Sequence, residues 1–302
     1  MQRKLIIGTR GSPLALYQAN LVQSLLSFET DIKILKTSGD TIKGDLKEFG
    51  GKGLFTKELE EALMDGRIDL AVHSMKDVPT VGQDSLMIGA VLEREDPRDA
   101  FISHKVERLA DLPEGAVVGS ASIRRRAQLS AMRPDVKFTL LRGNVGTRLG
   151  KLINGECDAT FLACAGLKRL GQDEVITEAI ETDVMLPAPA QGAIGIEIRK
   201  DDDFAQDAIA PLNHGDTDLA ITVERAFLRA LDGSCRTPIA ALAEIMDGGL
   251  NFRGEVIAKD GSIRFSRTER LDLPSKEKAR EMGLRLGQDI REEAGERIIW
   301  DE

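Results

Sequence analysis

The sequence contains little cysteine, histidine or large aromatic residue. Its 302 residues include three cysteines, three histidines, one tryptophan and one tyrosine. Because the cysteines are odd in number and none forms a Cys-x-x-Cys pair, the sequence disfavours both a disulfide framework and a zinc site. No segment approaches the roughly 18 apolar residues of a membrane span, and residues 1–12 lack the apolar core of a signal peptide. These absences predict a protein of a reducing, cytoplasmic compartment.

An excess of positive charge is also absent. Forty-one Lys and Arg stand against fifty Asp and Glu, which gives a formal net charge of −9 at pH 7. This balance disfavours generic binding of nucleic acid, so any cationic site must be local. With 42% hydrophobic and 30% charged residues, the composition is that of a globular chain. The length suits two domains or three smaller ones.

Strand-like and helix-like segments alternate along the first two thirds of the chain. KLIIGT, a helical pattern over 13–26 and DIKILKT open it, and the rhythm restarts at GAVVGS near residue 115. Such alternation predicts βαβ units with mostly parallel sheets, and AIGIEIR at 193–199 is a strand that can return to the first sheet. From Thr237 onward, three strand candidates separated by DGG and DG turns precede a polar helix, which predicts an antiparallel sheet with helices.

We therefore predict an α/β chain with two doubly wound domains, followed by a C-terminal α+β domain that contains a three-stranded antiparallel sheet. The predicted boundaries are 1–95 with 190–212 for domain 1, 96–189 for domain 2 and 213–302 for domain 3. A charged segment at 93–103, which contains Pro97, is the predicted crossing between the first two domains.

Arginine recurs at the predicted strand-to-helix junctions. These arginines are Arg10 in TRGSPLAL, Arg124, Arg125 and Arg126 in GSASIRRR, and Arg142 and Arg148 in LRGNVGTR. In a doubly wound sheet, helix N-termini meet beyond the carboxyl ends of the strands, where their free N–H groups and dipoles attract anions. The pattern therefore indicates a receptor for carboxylates or phosphates. The structural alternatives are helix capping by Ser12 with Pro13, and a solvated charged face for Arg126.

A carboxylate follows another predicted strand. HSMKDVPT follows the buried-looking IDLAV, so Ser74, Lys76 and Asp77 stand at the carboxyl end of a strand. An isolated Asp in a loop is commonly a turn or cap residue. Near the arginines, the carboxylate of Asp77 would be either a salt-bridge partner or a group that stabilises a cation.

Three further segments have unusual local chemistry. Cys235 in LDGSCRTPIA has polar, Gly and Arg neighbours, which predicts an accessible thiol that can be a nucleophile or an attachment point. Cys157 and Cys164 are expected to be buried small residues. GGKGLF at 50–55 lacks the rest of a P-loop and is interpreted as a mobile loop, and LPAPAQGAIGIE at 186–197 as a hinge or a turn that lines the site.

Seven segments, in order and across essentially the whole chain, resemble the hydroxymethylbilane synthases, also called porphobilinogen deaminases. They are HSMKDVPT, EREDPRDAF, GSASIRRRAQL, LRGNVGTRL, AGLKRLG, PAPAQGAIGIE and LDGSCRTPIA. The resemblance implies two domains like a type II periplasmic-binding-protein pair, with the active site between them, and a third domain that carries a cysteine. It also implies a transferase that joins four porphobilinogen molecules head to tail, releasing ammonia at each step. The product would be hydroxymethylbilane, the linear tetrapyrrole of haem-type biosynthesis.

The resemblance further implies a role for individual residues. A dipyrromethane cofactor would be attached to Cys235 by a thioether and act as the primer, and Asp77 would be the catalytic carboxylate. The residues implied to bind the carboxylates of cofactor and substrate are Arg10, Ser12, Ser74, Lys76, Ser122, Arg124, Arg125, Arg142, Arg148 and Arg169. Lys52 and Phe55 would belong to an active-site loop and Gln191 would line the site, with no metal involved. The chain departs from the family at Ser234 and Ala190, where glycine is usual.

Two other functions are weighed against this one. A non-enzymatic anion-binding protein of periplasmic type would leave Cys235 and the third domain without a role. A nucleic-acid-binding protein conflicts with the acidic total and lacks a recognised reader motif. We therefore expect porphobilinogen as a small-molecule substrate, no nucleic-acid or membrane partner, and a monomer.

Overall fold

The structure is a computed structural model that describes residues 3–41, 53–231 and 237–300. The chain divides into two compact units, Met1–Glu95 with Gly192–Ile221, and Asp96–Gln191 with Thr222–Glu302. Among the helices of the described residues, none has the length and apolar character needed to cross a membrane.

The strands, in chain order, are β1 (Leu5–Arg10), β2 (Thr30–Leu35), β3 (Leu70–Ser74), β4 (Leu86–Val91), β5 (Asp99–Ser103), β6 (Val117–Gly119), β7 (Lys137–Thr139), β8 (Ala159–Ala163), β9 (Glu178–Ile180), β10 (Ile194–Arg199), β11 (Ile239–Met246), β12 (Gly249–Ile257) and β13 (Arg264–Asp272). The helices are α1 (Pro13–Leu25), α2 (Ser38–Thr41), α3 (Lys57–Met64), α4 (Ile123–Met132), α5 (Val145–Ile153), α6 (Cys164–Arg169), α7 (Asp203–Ile209), α8 (Gly215–Ala230) and α9 (Lys276–Ala294).

The first unit contains a mixed sheet in the order β2-β1-β3-β10-β4. β1 is parallel to β2 and β3, whereas β10 runs antiparallel to β3 and β4. The prediction that residues 193–199 return to the first sheet is thus confirmed. Leu5, Ile7 and Ile196 are fully buried in its core. Because β1 and β3 are parallel neighbours, their carboxyl ends lie at the same edge of the sheet.

The second unit contains a sheet of similar design, in the order β7-β6-β8-β5-β9. β6 is parallel to β7 and β8, and β5 runs antiparallel to β8 and β9. The strands that precede α4, α5 and α6 are therefore the parallel ones, which places the N-termini of these helices at one edge. In each sheet one strand runs antiparallel to its neighbours: β10, which returns from a later part of the chain, in the first sheet, and β5, the earliest strand of its unit, in the second.

The C-terminal part of the second unit contains the predicted three-stranded antiparallel sheet, β11-β12-β13. Phe227 of α8 meets Phe252 of β12 edge to face, with ring centroids 5.2 Å apart. Gly283 of α9 allows close packing on α8, since an added Cβ would lie 2.8 Å from Ala226 Cβ. These contacts make a separate core under the sheet and confirm the α/β class with a C-terminal α+β part.

Candidate functional site

The carboxyl edge of the first sheet brings together polar groups from β1 and β3. β1 ends at Arg10, and Ser12 caps α1 by accepting a hydrogen bond from the Ala15 N–H at 3.3 Å. β3 ends at Ser74, whose Oγ accepts a hydrogen bond from Gln18 Nε2 at 2.8 Å. Gln18 is buried in α1, so this bond ties the end of β3 to the helix that follows β1.

Asp77 lies at the end of a short 3₁₀ turn, Met75–Asp77, that directly follows β3. The buried Met75 anchors this turn: its N–H donates to Ala193 O at 3.0 Å. Its sulfur also occupies the space that an added Cβ at Gly195 would need. Asp77 itself is exposed, and its carboxylate forms no hydrogen bond or ion pair with any residue that the structure describes. The turn therefore presents an accessible carboxylate from a backbone segment that is anchored to the sheet.

Phe55 contacts one of the predicted anion-binding residues. The Arg10 guanidinium carbon lies 4.2 Å from the centroid of the Phe55 ring, which is a cation–π arrangement. Both side chains are half-buried. Phe55 therefore orients Arg10 at the end of β1. The predictions made for Lys52 and Cys235 fall outside the described residues.

The carboxyl edge of the β7-β6-β8-β5-β9 sheet carries two capped helix N-termini. Ser122 Oγ accepts from Arg125 N–H at 3.4 Å at the start of α4, and Asn144 Oδ1 accepts from Thr147 N–H at 2.8 Å at the start of α5. Arg148, one turn into α5, donates from Nε to Gly143 O at 2.7 Å, which holds its side chain back over the helix start.

The remaining arginines of this edge sit differently. Arg142 is half-buried in the loop between β7 and α5. Arg169 is the last residue of α6, so it lies at the carboxyl end of that short helix. Capping, which the sequence offers as the alternative to anion binding, is thus present at α1, α4 and α5. The feature that distinguishes the two sheet edges from ordinary capped helix starts is therefore their guanidinium groups.

Arg124 and Arg125 are buried side by side at the start of α4, each only 6% exposed. Both bind the fully buried carboxylate of Asp99, the first residue of β5. Arg124 Nη1 lies 2.8 Å from Asp99 Oδ2, and Arg125 donates from Nη2 at 2.7 Å and from Nε at 3.1 Å to Oδ1. Arg126 is exposed over the ring of Phe138, at 5.0 Å. The prediction that Arg126 lies on a different helical face is confirmed.

The buried cluster of Arg124, Arg125 and Asp99 contains more positive than negative charge. Burial alone would raise the pKa of Asp99, but Arg124 and Arg125 overcome that effect and hold its pKa well below the ordinary range. The carboxylate is therefore ionised. Two guanidinium groups against one carboxylate leave one positive charge at the N-terminus of α4, where the helix dipole adds to it.

Gln191 belongs to the same cluster. It is 1% exposed and donates from Nε2 to Asp99 Oδ1 at 2.9 Å and to Pro97 O at 2.7 Å. The sequence-based prediction places Gln191 at the lining of the site, whereas its amide here orients Asp99. Asp99 was assigned no role from the sequence. The signal that could reveal it is an acidic residue opening the apolar strand DAFIS, because a buried carboxylate needs a cationic partner.

The turn before Gln191 is held by a second buried carboxylate. Glu224 of α8 is fully buried, and its two oxygens accept hydrogen bonds from Ala190 N–H at 2.6 Å and Ala243 N–H at 2.7 Å. Ala190 has a φ of 60°, a left-handed conformation that favours glycine.

Across the part of the chain that the structure describes, no group of three or more His, Cys, Asp or Glu side chains could hold a metal ion.

Two family models match the sequence. One, described as "Porphobilinogen deaminase, dipyromethane cofactor binding domain", matches residues 5–207. The other, described as "Porphobilinogen deaminase, C-terminal domain", matches residues 219–292. Together they cover both sheet edges and the C-terminal sheet.

Several solved structures are similar to this chain. A periplasmic substrate-binding protein of an ABC transporter from Coxiella burnetii is 14% identical, with a TM-score of 0.44, over 70% of this chain and 93% of that one. A putative methionine-binding lipoprotein from Bacillus subtilis is 14% identical, with a TM-score of 0.42, over 71% and 92% of the two chains. Likeness at this level carries no information about what this chain binds.

Proposed function

Because this chain belongs to the porphobilinogen deaminase family, we propose that the two carboxyl sheet edges carry its reaction and that Asp77 is the catalytic carboxylate. The chain is a transferase that polymerises porphobilinogen into the linear tetrapyrrole hydroxymethylbilane and uses a dipyrromethane cofactor. The observation that carries the proposal for Asp77 is an exposed carboxylate on an anchored turn at the end of β3.

Asp77 would act through its charge. Loss of ammonia from porphobilinogen leaves a resonance-stabilised azafulvenium cation, which an anion at short range stabilises. A carboxylate fixed before the reaction needs no reorganisation as this positive charge develops. Its oxygens can also accept hydrogen bonds from pyrrole N–H groups. The anchoring of Met75 to Ala193 would keep the carboxylate in place during each addition.

The donor set of the described residues fits the dipyrromethane cofactor. Such a group brings several carboxylates and two pyrrole N–H groups, so it needs cationic and N–H donors together with an acceptor. Ser122, Arg142 and Arg148 would hold its carboxylates at the helix N-termini of the second unit, and Asp77 would accept from its N–H groups. When bound, the cofactor supplies the pyrrole end from which the chain grows.

The other predicted residues take related roles in the proposal. Arg10, oriented by Phe55, would bind a carboxylate of the incoming substrate, with Ser12, Ser74 and Lys76 beside it. Arg124 and Arg125 would attract a carboxylate through the positive charge that Asp99 leaves uncompensated. Arg169 would assist from the end of α6.

We extend the proposal to the whole chain. It would have three domains, 1–95 with 190–212, 96–189 and 213–302, and would act as a monomer in the cytoplasm without a nucleic-acid partner. Free thiols support a reducing compartment: Cys157 and Cys164 are both buried and unpaired with each other, and burial raises the pKa of Cys164 to about 12. Such thiols are inert, which leaves Cys235 for cofactor attachment.

The attachment is tested by the intact mass of the denatured protein. We expect a mass above that of the sequence by a linked pair of porphobilinogen-derived pyrroles, and digestion should place the excess on the peptide that contains Cys235. Cys235→Ser should lose the excess, while the matched variant Cys164→Ser should keep it. An adduct on Cys157 or Cys164, or an active enzyme without an adduct, would refute the assignment.

A further inference from the structure

The turn between β12 and β13 is closed by hydrogen bonds within itself. Ala258 N–H donates to Ile263 O at 2.8 Å, and Gly261 N–H donates to Ala258 O at 2.8 Å. Asp260 Oδ1 accepts from both the N–H and the hydroxyl of Ser262, at 3.0 and 2.7 Å. These hydrogen bonds join the residues of the turn to one another.

Gly261 seats this turn on the backbone of α4. Its φ is 81°, and an added Cβ would overlap the Ala131 nitrogen and lie 2.9 Å from both Ala127 O and the Ser130 carbonyl carbon. Backbone atoms of a helix cannot rotate away as a side chain can. The approach of the turn to α4 therefore requires glycine at this position.

A buried carboxylate, Glu255, lies on β12, a strand that contacts α4. It is 6% exposed; one oxygen lies 3.6 Å from Arg264 Nη1, and the other, Oε1, has no hydrogen-bond partner among the described residues. Burial lowers the pKa of Arg124, and Asp99 and Glu255 act against that shift. Burial raises the pKa of Glu255, and Arg264 and Arg124 act against that shift. Glu255 and Arg124 thus lie on two elements that contact each other, β12 and α4.

Two further buried side chains of α4, Gln128 and Arg124, lead to the same sheet. Gln128 exchanges hydrogen bonds with the backbone of Leu186, at 2.9 and 2.8 Å, and Arg124 Nη1 donates to Leu186 O at 2.8 Å. Leu186 packs against Ala240 and Leu242 of β11. The C-terminal sheet therefore contacts α4 directly through the β12–β13 turn and indirectly through Leu186.

We propose that the β12–β13 hairpin is a positioning element for the reaction, in which Gly261, seated against the second half of α4, sets where this helix and Arg124 at its start lie, and Glu255 sets how much positive charge Arg124 offers to a carboxylate. The C-terminal sheet would then help to determine the affinity for porphobilinogen. This inference rests on the proposed role of Arg124 in binding carboxylates.

The positional half is tested with two glycine variants of the cofactor-loaded enzyme. Gly261→Ala and Gly248→Ala both place a side chain on a turn glycine with positive φ, at 81° and 72°. They differ in their surroundings, because nothing among the described residues lies within 4 Å of a Cβ added at Gly248. We expect Gly261→Ala to raise the KM for porphobilinogen at least about threefold with little change in kcat, and Gly248→Ala to change neither.

The charge half is tested with two glutamate variants, neither of which adds bulk. Glu255→Gln removes a buried carboxylate from β12, the strand that contacts α4, whereas Glu244→Gln removes an exposed charge on the neighbouring strand β11. Because burial raises the pKa of Glu255, the assays are run at pH 8, well above the ordinary glutamate pKa of about 4.3. We expect Glu255→Gln to lower the KM at least about threefold, because Arg124 then offers more positive charge, and Glu244→Gln to leave it unchanged.

The outcomes separate this inference from the function on which it rests. If Arg124→Lys raises the KM while Gly261→Ala and Glu255→Gln behave like their controls, the inference is overturned and the role of Arg124 stands. If Arg124→Lys leaves the KM unchanged, the proposed role of Arg124 fails, and the inference with it. Should Gly261→Ala yield no folded protein, the Glu255→Gln and Glu244→Gln pair decides: a difference supports the inference, and equal KM values overturn it.

Discussion

Asp77 offers a test of charge against shape at the scale of a single residue. Asp77→Asn keeps the size of the side chain but removes its charge, and losing one fixed electrostatic contact costs about 3 to 4 kcal/mol in the transition state. We expect ammonia release in a single turnover to slow by roughly 10²- to 10³-fold in primer-loaded enzyme. Asp77→Glu, which keeps the charge, should retain more activity than Asp77→Asn.

Stability supplies the control for this experiment. Because Asp77 is exposed and its carboxylate binds no residue that the structure describes, the free energy of unfolding should change by less than about 0.5 kcal/mol in both variants. Near-normal ammonia release by Asp77→Asn would show that the carboxylate has no catalytic role.

Ala190 is a second residue-scale case, in which backbone conformation and sequence disagree. Its φ of 60° is left-handed, a conformation that costs a non-glycine residue roughly 1 to 2 kcal/mol. Glycine at this position relieves the strain of the folded state. It also makes the unfolded chain more flexible, which offsets part of the resulting gain in stability. We expect Ala190→Gly to raise the free energy of unfolding by about 0.5 kcal/mol in urea titrations.

Ala193 provides the matched control, since it is also buried but is not among the residues with positive φ. Ala193→Gly should destabilise the protein, as expected where glycine only adds entropy to the unfolded chain. Equal losses for Ala190→Gly and Ala193→Gly would contradict the strain at Ala190.

At the scale of an element, α4 separates adjacent arginines into two classes. Arg125→Lys keeps the positive charge but loses the paired hydrogen bonds to Asp99 and the bond to Phe161 O, so it should cost about 1 to 3 kcal/mol of stability. Primer loading should fall with it. Arg126→Lys keeps a cation over Phe138 at the surface and should change stability by less than about 0.5 kcal/mol.

Urea denaturation and the mass of freshly loaded enzyme measure both effects. The comparison is internal, because the two substitutions are the same and the positions are consecutive on one helix. Equal losses at Arg125 and Arg126 would mean that burial on α4 does not govern the role of these arginines.

At the scale of the whole molecule, the charge predicts how the chain behaves in solution. A formal net charge of −9 makes two copies repel each other, most strongly at low ionic strength. We expect light scattering to give the mass of one chain at low and at physiological salt, over a range of protein concentrations. A stable dimer mass under either condition would contradict the proposed monomer.

The sequence alone determined the class of the fold and the family to which the chain belongs. Alternating periodicity placed the strands and helices, since the repeats of strand and helix are local properties of the chain. The turns with DGG and DG fixed the C-terminal antiparallel sheet. The resemblance of seven segments identified the family. It could do so because the residue types and the order of these segments are read directly from the chain, without knowledge of the contacts between them.

Only the tertiary structure decided which polar groups pair with each other. The sequence predicts that Arg124 and Arg125 receive an anion, and the structure shows that both are buried against Asp99, which lies more than twenty residues earlier in the chain. The antiparallel entry of β10 and the seating of Gly261 on α4 likewise depend on contacts between distant segments. Local patterns predict which groups a segment offers, whereas only the packing of segments remote in sequence determines which partner each group meets.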